Sequence, residues 1–277
     1  MAWKGEDTDQ GIYYSELGSG NWLPQQNVAG IATSVGASVA LFNGRVFMAW
    51  KGENNDRSIY FSQFSGVNWT PQQNIGNMGT SFRPSLAVYN NTLYMAWKGQ
   101  DTDQGIYYSH YDGSSWVPQQ NMGNVGTSEG PVLATYKGIL YAIWKGQNTD
   151  QGIYFSSFNG TSWATQTNIT GEGTSNGPSL AVFNGMLYAA WKGINNDQGI
   201  YYSYFNGTSW SPQKNVAGVG TSVGPTLAAY GGLLYMSWKG INNDQGLYYS
   251  SFNGNSWTSQ QQIGNTGSSV GPVMCSL

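Results

Sequence analysis

Two ionisable side chains recur at a fixed offset along this chain. Lys4, Lys51, Lys98, Lys145, Lys192 and Lys239 each follow a tryptophan, and Asp9, Asp56, Asp103, Asp150, Asp197 and Asp244 lie five residues further on. These are the only charges kept in every copy of a repeat; the chain holds 11 Lys and Arg and 14 Asp and Glu in all, and the others are scattered. The tryptophans before the lysines are Trp3, Trp50, Trp97, Trp144, Trp191 and Trp238. An ammonium, a carboxylate and a flat ring are the parts of a sugar pocket, because hydroxyls need paired donors and acceptors and a pyranose C–H face stacks on indole. A second use competes with the first. The aspartate can close an Asx-type turn on its own loop and pair with the lysine. One carboxylate can serve both.

Other chemistries are poorly served. Glycoside hydrolysis wants two carboxylates at a defined separation in one site, and sixfold repetition leaves little that is unique. Cys275 and His110, each the only one of its kind, have no partner for nucleophilic catalysis. With one cysteine, no internal disulfide can form. The "DTDQG" of residues 7–11 begins like an oxygen-ligand loop, but other copies read "NTDQG" or "NNDQG" and none supplies a terminal glutamate, so no metal and no cofactor is expected. The formal charge of −3 offers no basic surface for phosphates, which argues against nucleic acid and anionic membranes. No apolar run approaches the ~20 residues of a membrane span, and nothing reads as a signal peptide, so the expected location is cytoplasmic or outside by a leaderless route.

The elements that must position these residues follow from the repeat. The first tryptophan series steps by 47 from Trp3 to Trp238, and a second runs through 22, 69, 116, 163, 210 and 257 with the same step; together they account for all 12 tryptophans. Each unit reads as four strands. In one copy, "PSLAVFN" (178–184) and "MLYAAWK" (186–192) flank an Asn-Gly hairpin turn, "GIYYSYF" (199–205) is the third strand, and "SWSPQKN" (209–215) the fourth. Pro212 lacks a ladder donor and marks that fourth strand as a sheet edge. Four antiparallel strands repeated at this length are the signature of a propeller blade. The expected fold is therefore all-β, a six-bladed β-propeller forming one domain over residues 1–277. The tail at 268–277 matches a first strand and the N-terminus matches a second, so one blade is expected to be shared between the termini and to close the ring.

Strand alternation sorts the loops. The second-to-third loop ("KGINNDQG", 192–199) and the blade-to-blade connector ("NVAGVGTSVGP", 215–225) share one face, and both are long and polar. Binding residues concentrate on such loops, so sites are expected where the loop of one blade meets the connector of the next. The first tryptophan series ends the second strand on that face and supplies the stacking candidates. The Trp22 series and the Tyr13-Tyr14 pairs read as packing.

Six tandem units with Trp, Gly, Asn-Gly turns and few charges resemble the six-bladed β-propeller lectins of bacteria and fungi. The resemblance covers the whole chain at the level of architecture. It implies a multivalent carbohydrate-binding protein rather than an enzyme, with inter-blade sites and with glycans on cell surfaces or glycoproteins as partners. The fucose-binding members use an Arg, a Glu and a Trp per pocket; here the recurring charges are Lys and Asp, so the class and the siting carry over and the sugar does not. Sialidases resemble this chain in blade number alone, and Arg45, Arg57 and Arg83 do not form the arginine clamp they need. The alternatives are a protein–protein scaffold, or an amplified or engineered symmetric ring without a ligand.

Overall fold

The computed structural model describes residues 1–18 and 20–276. The strands form a six-bladed β-propeller. Blade one comprises Ala37–Phe42, Arg45–Lys51, Ser58–Phe64 and Gln73–Gly79; blade two Ser85–Tyr89, Thr92–Lys98, Gly105–Tyr111 and Gln120–Gly126. Blade three runs from Val132–Tyr136 through Ile139–Lys145 and Gly152–Phe158 to Thr167–Gly173. Blade four holds Ser179–Phe183, Met186–Lys192, Gly199–Phe205 and Lys214–Gly220, and blade five Thr226–Tyr230, Leu233–Lys239, Gly246–Phe252 and Gln261–Gly267. Blade six pairs Ala2–Lys4 with Gly11–Tyr14 and Gln26–Ala32. Its fourth member comes from the other end of the chain: Ala2 and Val273 exchange both backbone hydrogen bonds at 2.9 Å. Leu277, the last residue of the expected closing strand, lies outside the described residues. Among the described residues no helix is long and apolar enough to cross a membrane.

The first hairpins follow turn chemistry. Asn43-Gly44 and Asn184-Gly185 place both central residues at positive φ, 49° and 71° in the first and 46° and 71° in the second. That is the type I′ geometry whose twist matches the flanking strands.

The fourth strand is not where the sequence places it. In blade four it is Lys214–Gly220, and residues 209–215 are mostly loop, with Trp210 making a single bridge to Phe205. Pro212 has no N–H to enter a ladder, so pairing starts only beyond it. The strand then bulges: Tyr201 pairs with Asn215 but Gly199 pairs with Gly220. Gly218, at φ 75°, gives the backbone that bend. Much of the expected connector is thus the strand itself, and the third-to-fourth turn is a longer loop.

The core is six aromatic layers, one between each pair of neighbouring blades. Between blades one and two, Ala49, Ile59 and Phe61 meet Leu93, Met95 and Trp97. Because second strands are covered on both faces, consecutive residues such as Ala96, Trp97 and Lys98 are all buried. Tyr13 and Tyr14 diverge as expected: Tyr13 stacks on Trp3 and Tyr14 meets Trp69 of the next blade edge-on.

First strands line the axis, where a channel cavity of about 310 Å³ opens. Two charged residues break its symmetry. Arg83 stands where the other five units have Gly36, Gly130, Gly177, Gly224 and Gly271, and its guanidinium donates to the carbonyls of Gly271 and Pro272, both at 3.1 Å. Glu129 lines the same channel, and desolvation pushes its carboxyl up to about 7 even though Lys145 and Arg83 oppose the shift.

Candidate functional site

The long loops begin with the lysines. Each is buried, between 1% and 6% exposed. The ammonium of Lys98 donates to the carbonyls of Gly99 (3.3 Å), Asp101 (3.0 Å) and Asp103 (2.9 Å). Lys51 reaches the Gly52 and Asn54 carbonyls and the connector hydroxyl of Ser34 at 2.6 Å. Lys4 reaches Ser269 of the chain's other end at 2.7 Å. Three donors on one nitrogen satisfy loop carbonyls that have no strand partner. Desolvation holds all six ammonium groups below the usual lysine range.

The expectation that lysine and tryptophan touch a ligand is therefore corrected. Lys4, Lys51, Lys98, Lys145, Lys192 and Lys239 are consumed by their own loops and connectors. Trp3, Trp50, Trp97, Trp144, Trp191 and Trp238 are at most 1% exposed and present no ring face to solvent. Tyrosine covers that face instead, as with Tyr60 on Trp50 at 6.1 Å between centroids and 21° between planes.

The aspartates keep an open side. Asp9, Asp103, Asp150, Asp197 and Asp244 are exposed and Asp56 is half-buried. In blade two, Oδ1 of Asp103 accepts from the Gly105 N–H at 2.8 Å and Oδ2 accepts from the Tyr107 hydroxyl at 2.9 Å. The same pair of bonds recurs on Asp9, Asp56, Asp150, Asp197 and Asp244. The Gly11 N–H and then the Tyr13 hydroxyl hold the Asp9 carboxyl below its ordinary value. The hydrogen bond to that carboxylate raises the Tyr13 phenol in turn. Each carboxylate oxygen retains lone-pair capacity for a further donor.

Directly across the third-to-fourth ladder from each tyrosine sits an exposed amide. Tyr13 pairs with Asn27, Tyr60 with Asn74, Tyr107 with Asn121, Tyr154 with Asn168, Tyr201 with Asn215 and Tyr248 with Gln262. Carboxylate, phenol and amide thus make a polar shelf on every blade. Sequence reasoning left the tyrosine as packing and the amide unremarked; their sixfold recurrence was the available signal.

A second set of contacts joins the loops. Gln198 accepts from the Asn242 N–H and donates to its side-chain oxygen, both at 2.7 Å. The same clasp links Gln10 to Asn54, Gln104 to Asn148, Gln151 to Asn195, and Gln245 to Asp7. Each receiving residue sits at positive φ, between 45° and 52°, which Asn and Asp tolerate best among residues with side chains. The sixth clasp is ionic: Arg57 pairs with Asp101 at 2.6 Å. Beside the Arg57–Asp101 clasp lies an open cleft between blades one and two, of about 470 Å³, lined by Arg57, Ser58, Asn74, Gly76, Asn77, Met78 and Gln100. Among the described residues no group of three or more His, Cys, Asp or Glu is arranged to hold a metal.

No protein-family model matches this chain, and no curated protein does. Solved structures do. AofleA from Arthrobotrys oligospora superposes with a TM-score of 0.69 at 10% identity, over 98% of this chain and 84% of that one. The SapL1 lectin in complex with α-methyl fucoside gives 0.65 at 13% identity, over 92% and 93% of the two chains. A mutant of Aleuria aurantia lectin in complex with α-methyl-L-fucoside gives 0.61 at 11%, over 96% and 95%. The chain has their fold. Identity this low extends the likeness no further than the backbone.

Proposed function

We propose that this protein is a multivalent carbohydrate-binding protein, a lectin, with repeated sites on the long-loop face at the clefts between adjacent blades. The observation that carries the reading is the exposed shelf of Asp, Tyr and Asn repeated on all six blades, with Gln262 in the amide's place on one. It presents acceptors and donors at fixed spacing on a rigid ring, as sugar hydroxyls require. The aspartates remain in the site, joined by the Tyr13 and Asn27 series in place of tryptophan and lysine. Two structural neighbours are lectins holding a methyl fucoside, which supports a carbohydrate as the ligand class. Binding rather than hydrolysis fits the shelf, because its one carboxylate already accepts hydrogen bonds at both oxygens.

A monosaccharide offers few atoms and is well hydrated, so each site is weak. Several sites on one face engaging a glycan-dense surface gain ~10²–10⁴ over one. The partners are glycans on cell surfaces or glycoproteins. The test is a high-valency glycan array probed with the wild type and with a variant carrying Asp→Asn at all six positions. The wild type is expected to bind a subset of glycans. At ~1 kcal/mol each the six changes remove about 6 kcal/mol of stability, so binding is read at a temperature where the variant's circular dichroism spectrum matches the wild type's, and there it is expected to be lost. A wild type that binds no glycan at high valency sinks the reading.

A further inference from the structure

The loops repeat closely, and the residue after Lys-Gly is the position at which they divide into three chemical types. It is Glu6 and Glu53, then Gln100 and Gln147, then Ile194 and Ile241. The types come in neighbouring pairs around the ring. Five of the six side chains lie over the last strand residue of the preceding blade. Gln100 overlies Gly79 and Gln147 overlies Gly126; Glu6 overlies Gly267 across the seam. Ile194 and Ile241 overlie Gly173 and Gly220, where an added Cβ would stand 2.7 and 2.8 Å from the isoleucine Cγ2. Glycine at the end of the fourth strand is what admits them. The unit before Glu53 has Ala32 at the equivalent repeat position in place of glycine. Gln100 is also part of the lining of the 470 Å³ cleft.

The isoleucines are informative because their cover over Gly173 and Gly220 still leaves about half of each residue in solvent. Ile194 is 48% exposed and Ile241 46%. Two large aliphatic side chains held out at equivalent places on a polar loop mark a surface that contacts something apolar. The facing bulges differ as well. Asn77 and Asn124 stand beneath Gln100 and Gln147, where the bulges beneath Ile194 and Ile241 have Gly171 and Gly218. The bulge beneath Ile194 also carries Glu172, which accepts from the Gln213 N–H of blade four at 3.2 Å.

We infer that this position determines the specificity of each cleft, so that the six sites form three adjacent chemical pairs rather than one sixfold set. The inference rests on the carbohydrate-binding reading above. The amide clefts, on either side of blade two, offer both donors and acceptors and suit the hydroxyl face of a neutral hexose. The carboxylate clefts, on either side of blade six, add an acceptor beside the shelf and repel acidic sugars. The aliphatic clefts, on either side of blade four, add an apolar contact beside the shelf and suit a sugar bearing an acetamido methyl.

The test uses three albumin neoglycoconjugates as probes, carrying a neutral hexose, an N-acetylhexosamine and a hexuronate. The full chain is compared with Ile194→Gln/Ile241→Gln and with Gln100→Ile/Gln147→Ile. The first variant should bind the N-acetylhexosamine conjugate at least about fivefold more weakly and the hexose conjugate more tightly. The second should shift the other way. Fivefold per site is the scale of one neutral hydrogen bond or one buried methylene. The opposite signs expected of the two swaps separate specificity from misfolding, which would weaken both conjugates together. Unchanged binding of every probe by both variants, or parallel losses, overturns the inference and leaves the lectin reading standing. A wild type that binds none of the probes and no glycan on the array overturns both.

Discussion

Replacing Glu129 by glutamine should stabilise this protein, and only above a definite pH. The carboxyl lines the axial channel, where desolvation pushes it up to about 7, and Lys145, Arg83, the Gly177 N–H and Lys98 hold it down from going further. In the unfolded chain it titrates near the ordinary value of 4.5. Between those two values the folded state binds more protons than the unfolded one, so this group's contribution falls as pH rises through the window and is flat above it. Moving a carboxyl from 4.5 to about 7 corresponds to a ceiling of ~3.4 kcal/mol, at ~1.36 kcal/mol per pH unit. The channel admits solvent and Arg83 shares it, so about 1–2 kcal/mol is the working expectation. The amide introduced by Glu129→Gln mimics the protonated acid at every pH. Urea melts of wild type and E129Q at pH 5 and pH 8 read the difference directly, because every other group titrates identically in the two proteins. E129Q should be close to wild type at pH 5 and more stable by about 1–2 kcal/mol at pH 8. A variant less stable than wild type at pH 8, or a gap equal at both pH values, would refute the desolvation argument and point to a stabilising ion pair instead.

Other outcomes follow from the same structure. Lys98→Met removes three hydrogen bonds and orphans loop carbonyls, so chemical denaturation should show a loss of about 2 kcal/mol, with a surface lysine such as Lys214 as control. Asp103→Asn should cost about 1 kcal/mol in the same assay through its loop, yet barely reduce binding to a high-valency surface of mixed glycans, since five other sites remain. A double-mutant cycle on Arg57→Ala and Asp101→Ala, which cannot rebuild the Gln–Asn clasp, should give a coupling of about 0.5–1 kcal/mol that shrinks at high salt; a salt-independent coupling would contradict an exposed ion pair. Arg83→Gly frees the carbonyls of Gly271 and Pro272, so amide hydrogen exchange at Val273 and Ala2 should accelerate while exchange in blade four stays unchanged.

The architecture was legible because one unit recurs without an insertion. The Trp-Lys-Gly spacing gave the blade count, and the matching ends gave the closure seen at Ala2 and Val273. The fourth strand was hidden because residues such as Asn215, Ala217 and Gly218 are polar or small and exposed, and its bulge breaks any period of two. Trp97 was misplaced for a related reason. A strand covered on both faces carries no alternation, so a ring near the loop end looked available when it is enclosed. The role of Lys98 could not be read either, because the carbonyls it serves converge only once the loop has folded. The clasps had a readable trace. Arg57 and Asp101 depart from the commonest Gln and Asn at positions that recur 44 residues apart along the chain, and that joint departure marks a contact.

The clasps form a closed chain of grips with no first or last member, since the one between Gln245 and Asp7 crosses the seam like any other. A hoop of this kind fixes the pitch between neighbouring clefts. On the lectin reading proposed above, the ring would act as a gauge as much as a set of hands, favouring surfaces whose groups already stand at its own spacing over a target of the right composition but the wrong density.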